Sequence, residues 1–147
     1  MFVGGVIDAA RERLVILADG ARLIEAARLL HGAGTDIVVV CNPEGRLAGV
    51  VTKTDVVGEI SHCQGGSCQA MLSSVMTRDV VACRHGDQLD EVWSRMSARG
   101  LKNVPVMDDE SRPVGVLNAR DLLQALLHEV ENEESLLRDY VMTVGYH

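Results

Sequence analysis

Sliding the 147-residue chain by 66 positions lays its second half on its first without a gap. Arg13 to His62 then aligns with Asp79 to His128, and 13 of the 50 pairs are identical. They include Gly20/Gly86, Leu23/Leu89, Val38/Val104, Val40/Val106, Gly49/Gly115, Asp55/Asp121 and His62/His128. Two like units in so short a chain read as two halves of one body, related by an approximate two-fold axis. A cleft on that axis receives the same residues from both sides. A period this long, occurring twice, argues against a solenoid, which stacks at least three short units. Alone, a unit of about 60 residues buries only about 60 % of its unfolded surface, so the two halves are expected to share a core.

Local signals agree between the copies. In the first, Arg13–Leu17 is a short apolar strand closed by the Asp19-Gly20 turn, and Leu23, Ala26, Ala27 and Leu30 fall at helical spacing up to a stop at Gly34. Ile37–Cys41 is a β-branched run suited to a strand buried on both faces. Asn42-Pro43-Glu44-Gly45 is turn chemistry, Leu47–Val51 a further strand, and Thr52 opens a helix through Ile60. In the second copy Val80–Cys83, the helix of Leu89, Val92, Trp93 and Met96 ended by Gly100, Asn103–Met107, Val114–Leu117 and a helix from Asn118 repeat the order. The fold class is α/β: tandem β-α-β-β-α repeats, residues 1–62 and 75–147, joined by a linker over 63–74. The last helix is longer than its mate. Leu122, Leu123, Leu126, Leu127 and Val130 form an apolar stripe that Leu137 and Val141 extend, while Glu129, Glu131, Glu133 and Glu134 make an acidic opposite face. That face is either plain solvated surface, or the stripe docks a second copy of the chain.

A net charge of −7 and an aromatic content of 3 % disfavour nucleic acid as a partner, since phosphates need clustered cations and bases need stacking platforms. No apolar stretch is long enough to span a membrane and no leader pattern opens the chain, so a soluble cytoplasmic protein is expected. Cys41 and Cys83 sit on apolar strands and read as small core residues. Cys63 and Cys68 flank Gly65-Gly66 in the linker, beside His62. His62, Cys63 and Cys68 are candidate zinc or iron ligands, and the two thiols are a candidate redox pair; an inert linker is the third reading.

The chemistry concentrates at the strand-to-helix junctions Gly49-Val50-Val51-Thr52-Lys53-Thr54-Asp55 and Gly115-Val116-Leu117-Asn118-Ala119-Arg120-Asp121. A hydroxyl or amide at a helix start with an acid three residues on is, at minimum, a capping box. Placed face to face at two helix N-termini, the same groups suit a phosphate. Thr52 or Asn118 would bond a phosphate oxygen, Lys53 or Arg120 would neutralise charge, and a carboxylate one turn in suits a ribose diol. No nucleophile–base pair stands out, so the chain does not read as an enzyme.

These junctions, with Val75-Met76-Thr77 opening the second copy and Gly100-Leu101-Lys102-Asn103-Val104-Pro105-Val106 within it, closely resemble a CBS-domain pair, or Bateman module, over residues 10–130. The resemblance implies a regulatory, stand-alone module that binds AMP, ADP or ATP between its repeats, pairs into a homodimer through its helices, and controls a separate protein. It implies that Asp55 and Asp121 hold ribose, that Thr52 contacts phosphate, and that Val104-Pro105-Val106 lines the base pocket with Asn103 and Lys102 at its mouth. Asn118 stands where the family has Thr or Ser, Val39 where it has Pro, and Asp36 precedes that strand. The two clefts are therefore expected to differ.

Overall fold

The computed structural model describes residues 1–32, 35–62 and 69–145. Gly34, Cys63 and Cys68 lie outside them, and the side chain of Val141 is likewise not described. The first repeat runs β1 (Ile16–Ala18), α2 (Leu23–Gly32), β2 (Ile37–Cys41), β3 (Leu47–Thr52) and α3 (Lys53–Ser61). The second runs β4 (Cys83–Arg84), α5 (Leu89–Arg99), β5 (Asn103–Met107), β6 (Pro113–Asn118) and α6 (Ala119–Gly145). Ahead of them lie a 3-10 turn (Val3–Val6) with α1 (Ile7–Glu12), and the short α4 (Leu72–Val75). Each repeat builds a three-stranded mixed sheet, parallel between its first two strands and antiparallel between its last two. The expected α/β class and repeat order hold.

The strand pleat divides the labour. Val38 and Val40 point to the first repeat's core with Leu23, Ala26, Leu30 and Val51. Val104 and Val106 do the same in the second, against Leu89, Val92, Met96 and Leu117. The alternate residues Ile37, Val39 and Cys41 meet Val50 and Val116 in a third cluster between the two sheets, which is the shared core that two small repeats need. Cys41 and Cys83 are buried, as apolar strand positions require.

The segments that enter the repeats are exchanged. Leu72 and Met76, which lead into β4, pack into the first repeat's core. Val3, Ile7 and Ala10, at the chain's start, pack into the second's. Two glycines make room for them. A Cβ on Gly49 would lie 2.7 Å from the Thr77 carbonyl oxygen and 2.8 Å from Met76, and one on Gly115 would lie 2.9 Å from the backbone of Ala10. The offset that aligns Gly49 with Gly115 also aligns Met76 with Ala10, so the close approach itself is repeated.

Two strands are shorter than the sequence pattern predicts. Arg13 and Leu14 do not extend β1; their N–H groups close the end of α1 on the carbonyls of Ala10 and Arg11, each at 3.2 Å. Val80 and Val81 precede β4 and line a cavity instead. Gly100, with φ +64°, ends α5 as expected, its left-handed turn letting Leu101 N–H reach the Met96 carbonyl at 2.9 Å. The stripe on α6 is only partly covered: Leu122 is buried, whereas Leu123, Leu127 and Val130 are exposed.

Candidate functional site

β3 hands directly to α3 at Thr52, whose extended backbone makes it the N-cap. The Thr52 hydroxyl accepts from Asp55 N–H at 3.4 Å, and Asp55 Oδ2 accepts from Thr52 N–H at 2.9 Å, so the box predicted from the spacing closes. Asp55 Oδ1 accepts from the Thr77 hydroxyl at 3.1 Å. Thr77 is held beside it by a two-way backbone bridge with Val50, at 2.9 and 3.0 Å.

These groups open on a cavity of about 550 Å³ between the repeats. The first repeat contributes Thr52, Lys53 and Asp55, and the entry to the second contributes Thr77, Asp79, Val80 and Val81. β5 adds Asn103 and Pro105, with Lys102 at its start. Pro105 is where the pleat turns a residue toward the inter-repeat seam; Val104 and Val106 face away into the second repeat's core and do not line the cavity. Asp36, Asp55 and Asp79 line the cavity together with Lys53, Lys102 and Arg99, and Arg99 is paired to Asp79 at 2.9 Å. The arrangement offers helix N–H groups and cations for an anion, a carboxylate for hydroxyls, and an apolar patch for a flat ring.

The second junction is built differently. Asn118 ends β6, and its Oδ1 accepts from Arg120 N–H at 2.8 Å while its Nδ2 donates to Asn103 Oδ1 at 3.4 Å. Asn118 therefore caps α6 at Arg120, and Asp121, turned to Arg13, does not return the bond that would close a box. Nε and Nη2 of Arg13 both donate to Asp121 Oδ2, the former at 3.2 Å. A cavity of about 330 Å³ lies on this side, walled by Ala9, Glu12, Arg13, Val15, Thr35, Asp36, Ile37, Asn103 and Val116. Asn118, Arg120 and Asp121 do not line it. Sequence reasoning missed Arg13 and Thr77 because both act from segments outside the junction motifs, and the 66-residue register sets Arg13 against Asp79 rather than against Thr77.

The proposed ligand set of the linker fares differently. His62 caps the end of α3 and is exposed, while Cys63 and Cys68 fall outside the described residues. Among the described residues no cluster of three or more His, Cys, Asp or Glu side chains is poised for a metal. No described helix is long and apolar enough to cross a membrane.

The model of the CBS domain matches residues 6–62 and 72–128. A CBS-domain containing protein from Agrobacterium tumefaciens superimposes with a TM-score of 0.73 at 28 % identity, covering 85 % of this chain and 98 % of that one. A CBS domain pair in complex with 5′-methylthioadenosine and S-adenosyl-L-methionine gives 0.72 at 22 % identity, covering 88 % and 98 %. The cytosolic domain of the Mg2+ channel MgtE in complex with ATP gives 0.65 at 25 % identity, covering 77 % and 45 %. Among curated proteins, an uncharacterized protein of Methanocaldococcus jannaschii is 31 % identical over 130 residues, 81 % of this chain. The chain spans 46 % of that relative and 23 % of a homoserine O-acetyltransferase of Methanococcoides burtonii. With both matched stretches covering most of its length, the chain belongs to the CBS-domain family, as a tandem pair.

Proposed function

We propose that this protein is a regulatory module that binds an adenine nucleotide in the cleft of Thr52 and Asp55 and transmits the binding to another protein. The observation that carries the reading is the cavity itself. It joins the capped N-terminus of α3, the Asp55 carboxylate and the Pro105 face in one space large enough for a nucleotide. In this reading Asp55 takes the ribose diol, with Thr77 as the hydroxyl that the ligand replaces. Thr52 and Lys53 take phosphate at the helix start, Lys102 and Asn103 guard the mouth, and the base lies against Pro105 and Val80. Proteins of the same fold held with 5′-methylthioadenosine, S-adenosyl-L-methionine or ATP support an adenine-bearing ligand.

Binding regulates only through a difference in affinity between two states, so a partner or an assembly must respond. A second copy is the first such partner. Val57 on α3 and Leu123 on α6 occupy matching positions of the two repeats and are 64 % and 39 % exposed. A two-fold pairing of these helices would cover both at once. The domains act as residues 1–62 and 75–147, with 63–74 between them.

A thermal-shift series with AMP, ADP and ATP tests the reading. At millimolar ligand at least one raises the melting temperature of the wild-type protein, and Asp55→Ala abolishes the rise. No rise with any of the three would overturn the assignment.

A further inference from the structure

We propose that the chain closes its own second cleft: Arg13 sits on the Asp121 carboxylate as an internal cation and pins α1 across β6. Only the Asp55 cleft is then left open to a ligand that carries a diol. The exclusion of ligand rests on the nucleotide reading of Asp55; the closure itself does not.

The repeat supplies the comparison. Register 66 sets Asp121 on Asp55, Gly115 on Gly49, and the segment Ala10-Arg11 on Met76-Thr77. In the first repeat that segment is extended, and it brings a neutral hydroxyl to the carboxylate at 3.1 Å. A ligand hydroxyl replaces such a contact one for one. In the second repeat the same place is taken by the end of a helix, and a guanidinium replaces the hydroxyl. To seat a diol on Asp121 the ligand must remove a charge-assisted pair and leave Arg13 without its anion.

The close approach of α1 to β6 at Gly115 has its equal at Gly49 and so does not separate the clefts, but with Ile7 and Ala10 buried it sets α1 beside the Arg13–Asp121 pair. Asn118 caps α6 through the Arg120 N–H and gives its Nδ2 to Asn103, whereas Thr52 closes a reciprocal box with Asp55. The space that remains is the smaller of the two, about 330 Å³ against about 550 Å³, and Asp121 is not on its wall. Arg13 and Asp121 retain 41 % and 28 % of their side-chain exposure, so the pair is within reach of solvent and is a latch rather than a permanent core element.

The closure is tested by calorimetric titration of AMP, ADP and ATP into the wild-type protein, Arg13→Gln, and Arg13→Gln with Asp121→Ala. We expect a single binding site in the wild type, a second site in Arg13→Gln, and its loss in the double variant. A wild-type protein with two sites, or an Arg13→Gln variant with only the first, overturns the proposal. Hydrogen exchange of the amides at residues 11–14, measured without ligand, provides the independent arm. Faster exchange in Arg13→Gln and in Asp121→Asn, with no further gain in the double variant, supports the latch; unchanged rates overturn it. If neither AMP nor ADP nor ATP binds any of the proteins, the nucleotide reading falls, and the exchange result alone decides whether Arg13 holds α1.

Discussion

The hydroxyl of Thr77 donates to Oδ1 of Asp55 at 3.1 Å, so a residue that leads into the second repeat completes the carboxylate of the first. The same exchange of segments sets Ala10 against Gly115 and Met76 against Gly49. Cleft chemistry and inter-repeat packing are therefore one structure, and changes at either should be felt at the other.

Thr52 caps α3 through its hydroxyl and its N–H together. Thr52→Ala is expected to cost about 1 kcal/mol in urea denaturation, the ordinary price of an N-cap. Thr77→Val, which removes one exposed hydroxyl contact and keeps the shape, is expected to cost about half of that or less.

Gly49→Ala and Gly115→Ala place a methyl group against backbone atoms that cannot retreat. Each is expected to destabilise the protein by about 1–3 kcal/mol. Gly58→Ala is the control, because nothing lies within 4 Å of its Cβ position on α3. It is expected to stabilise by about 0.5–1 kcal/mol by favouring helix.

Burial pushes the Cys83 thiol up to about 12, with the nearby Asp87 charge adding to the rise and Arg95 opposing it. Burial also raises Cys41. In a Cys63→Ser, Cys68→Ser background neither remaining thiol should react with a disulfide reagent at pH 8 until denaturant is added. Prompt labelling of the native protein would show that the two strands open.

The turns after β2 and β5 are mates. Asn42 Oδ1 accepts from the N–H groups of Glu44 and Arg46 at 3.1 and 2.9 Å, and Asp108 Oδ1 accepts from Glu110 and Arg112, both at 2.9 Å. The Arg112 N–H above all holds the Asp108 carboxyl below the usual carboxylate range. A depressed folded value means that the charge stabilises the fold above the unfolded value, and that this contribution is lost as pH falls through the folded one. Asp108→Asn copies the neutral Asn42 turn. Its melting temperature should therefore fall less than that of the wild type as pH is lowered from the carboxylate range.

The repeat made most of this fold legible. Ile37–Cys41 and Asn103–Met107 stand where their β-branched and alternating patterns put them, because burial on one or both faces leaves a strong sequence trace. Gly100 marks its helix end because only a left-handed residue closes it. Arg13 was hidden for the opposite reason. It is an exposed cation after a six-residue helix whose value depends on Asp121, 108 residues away. Asp55 and Asp121 read alike in the sequence; what separates them is the hydroxyl of Thr77 against the guanidinium of Arg13, which only packing brings to them.

Titration calorimetry of AMP, ADP and ATP against the wild-type protein, Asp55→Ala and Asp121→Ala decides which cleft binds. Binding is predicted to the wild type and to Asp121→Ala, and to be lost in Asp55→Ala. Binding that survives in Asp55→Ala and disappears in Asp121→Ala, or no binding of any of the three to the wild type, would contradict the assignment to the Asp55 cleft.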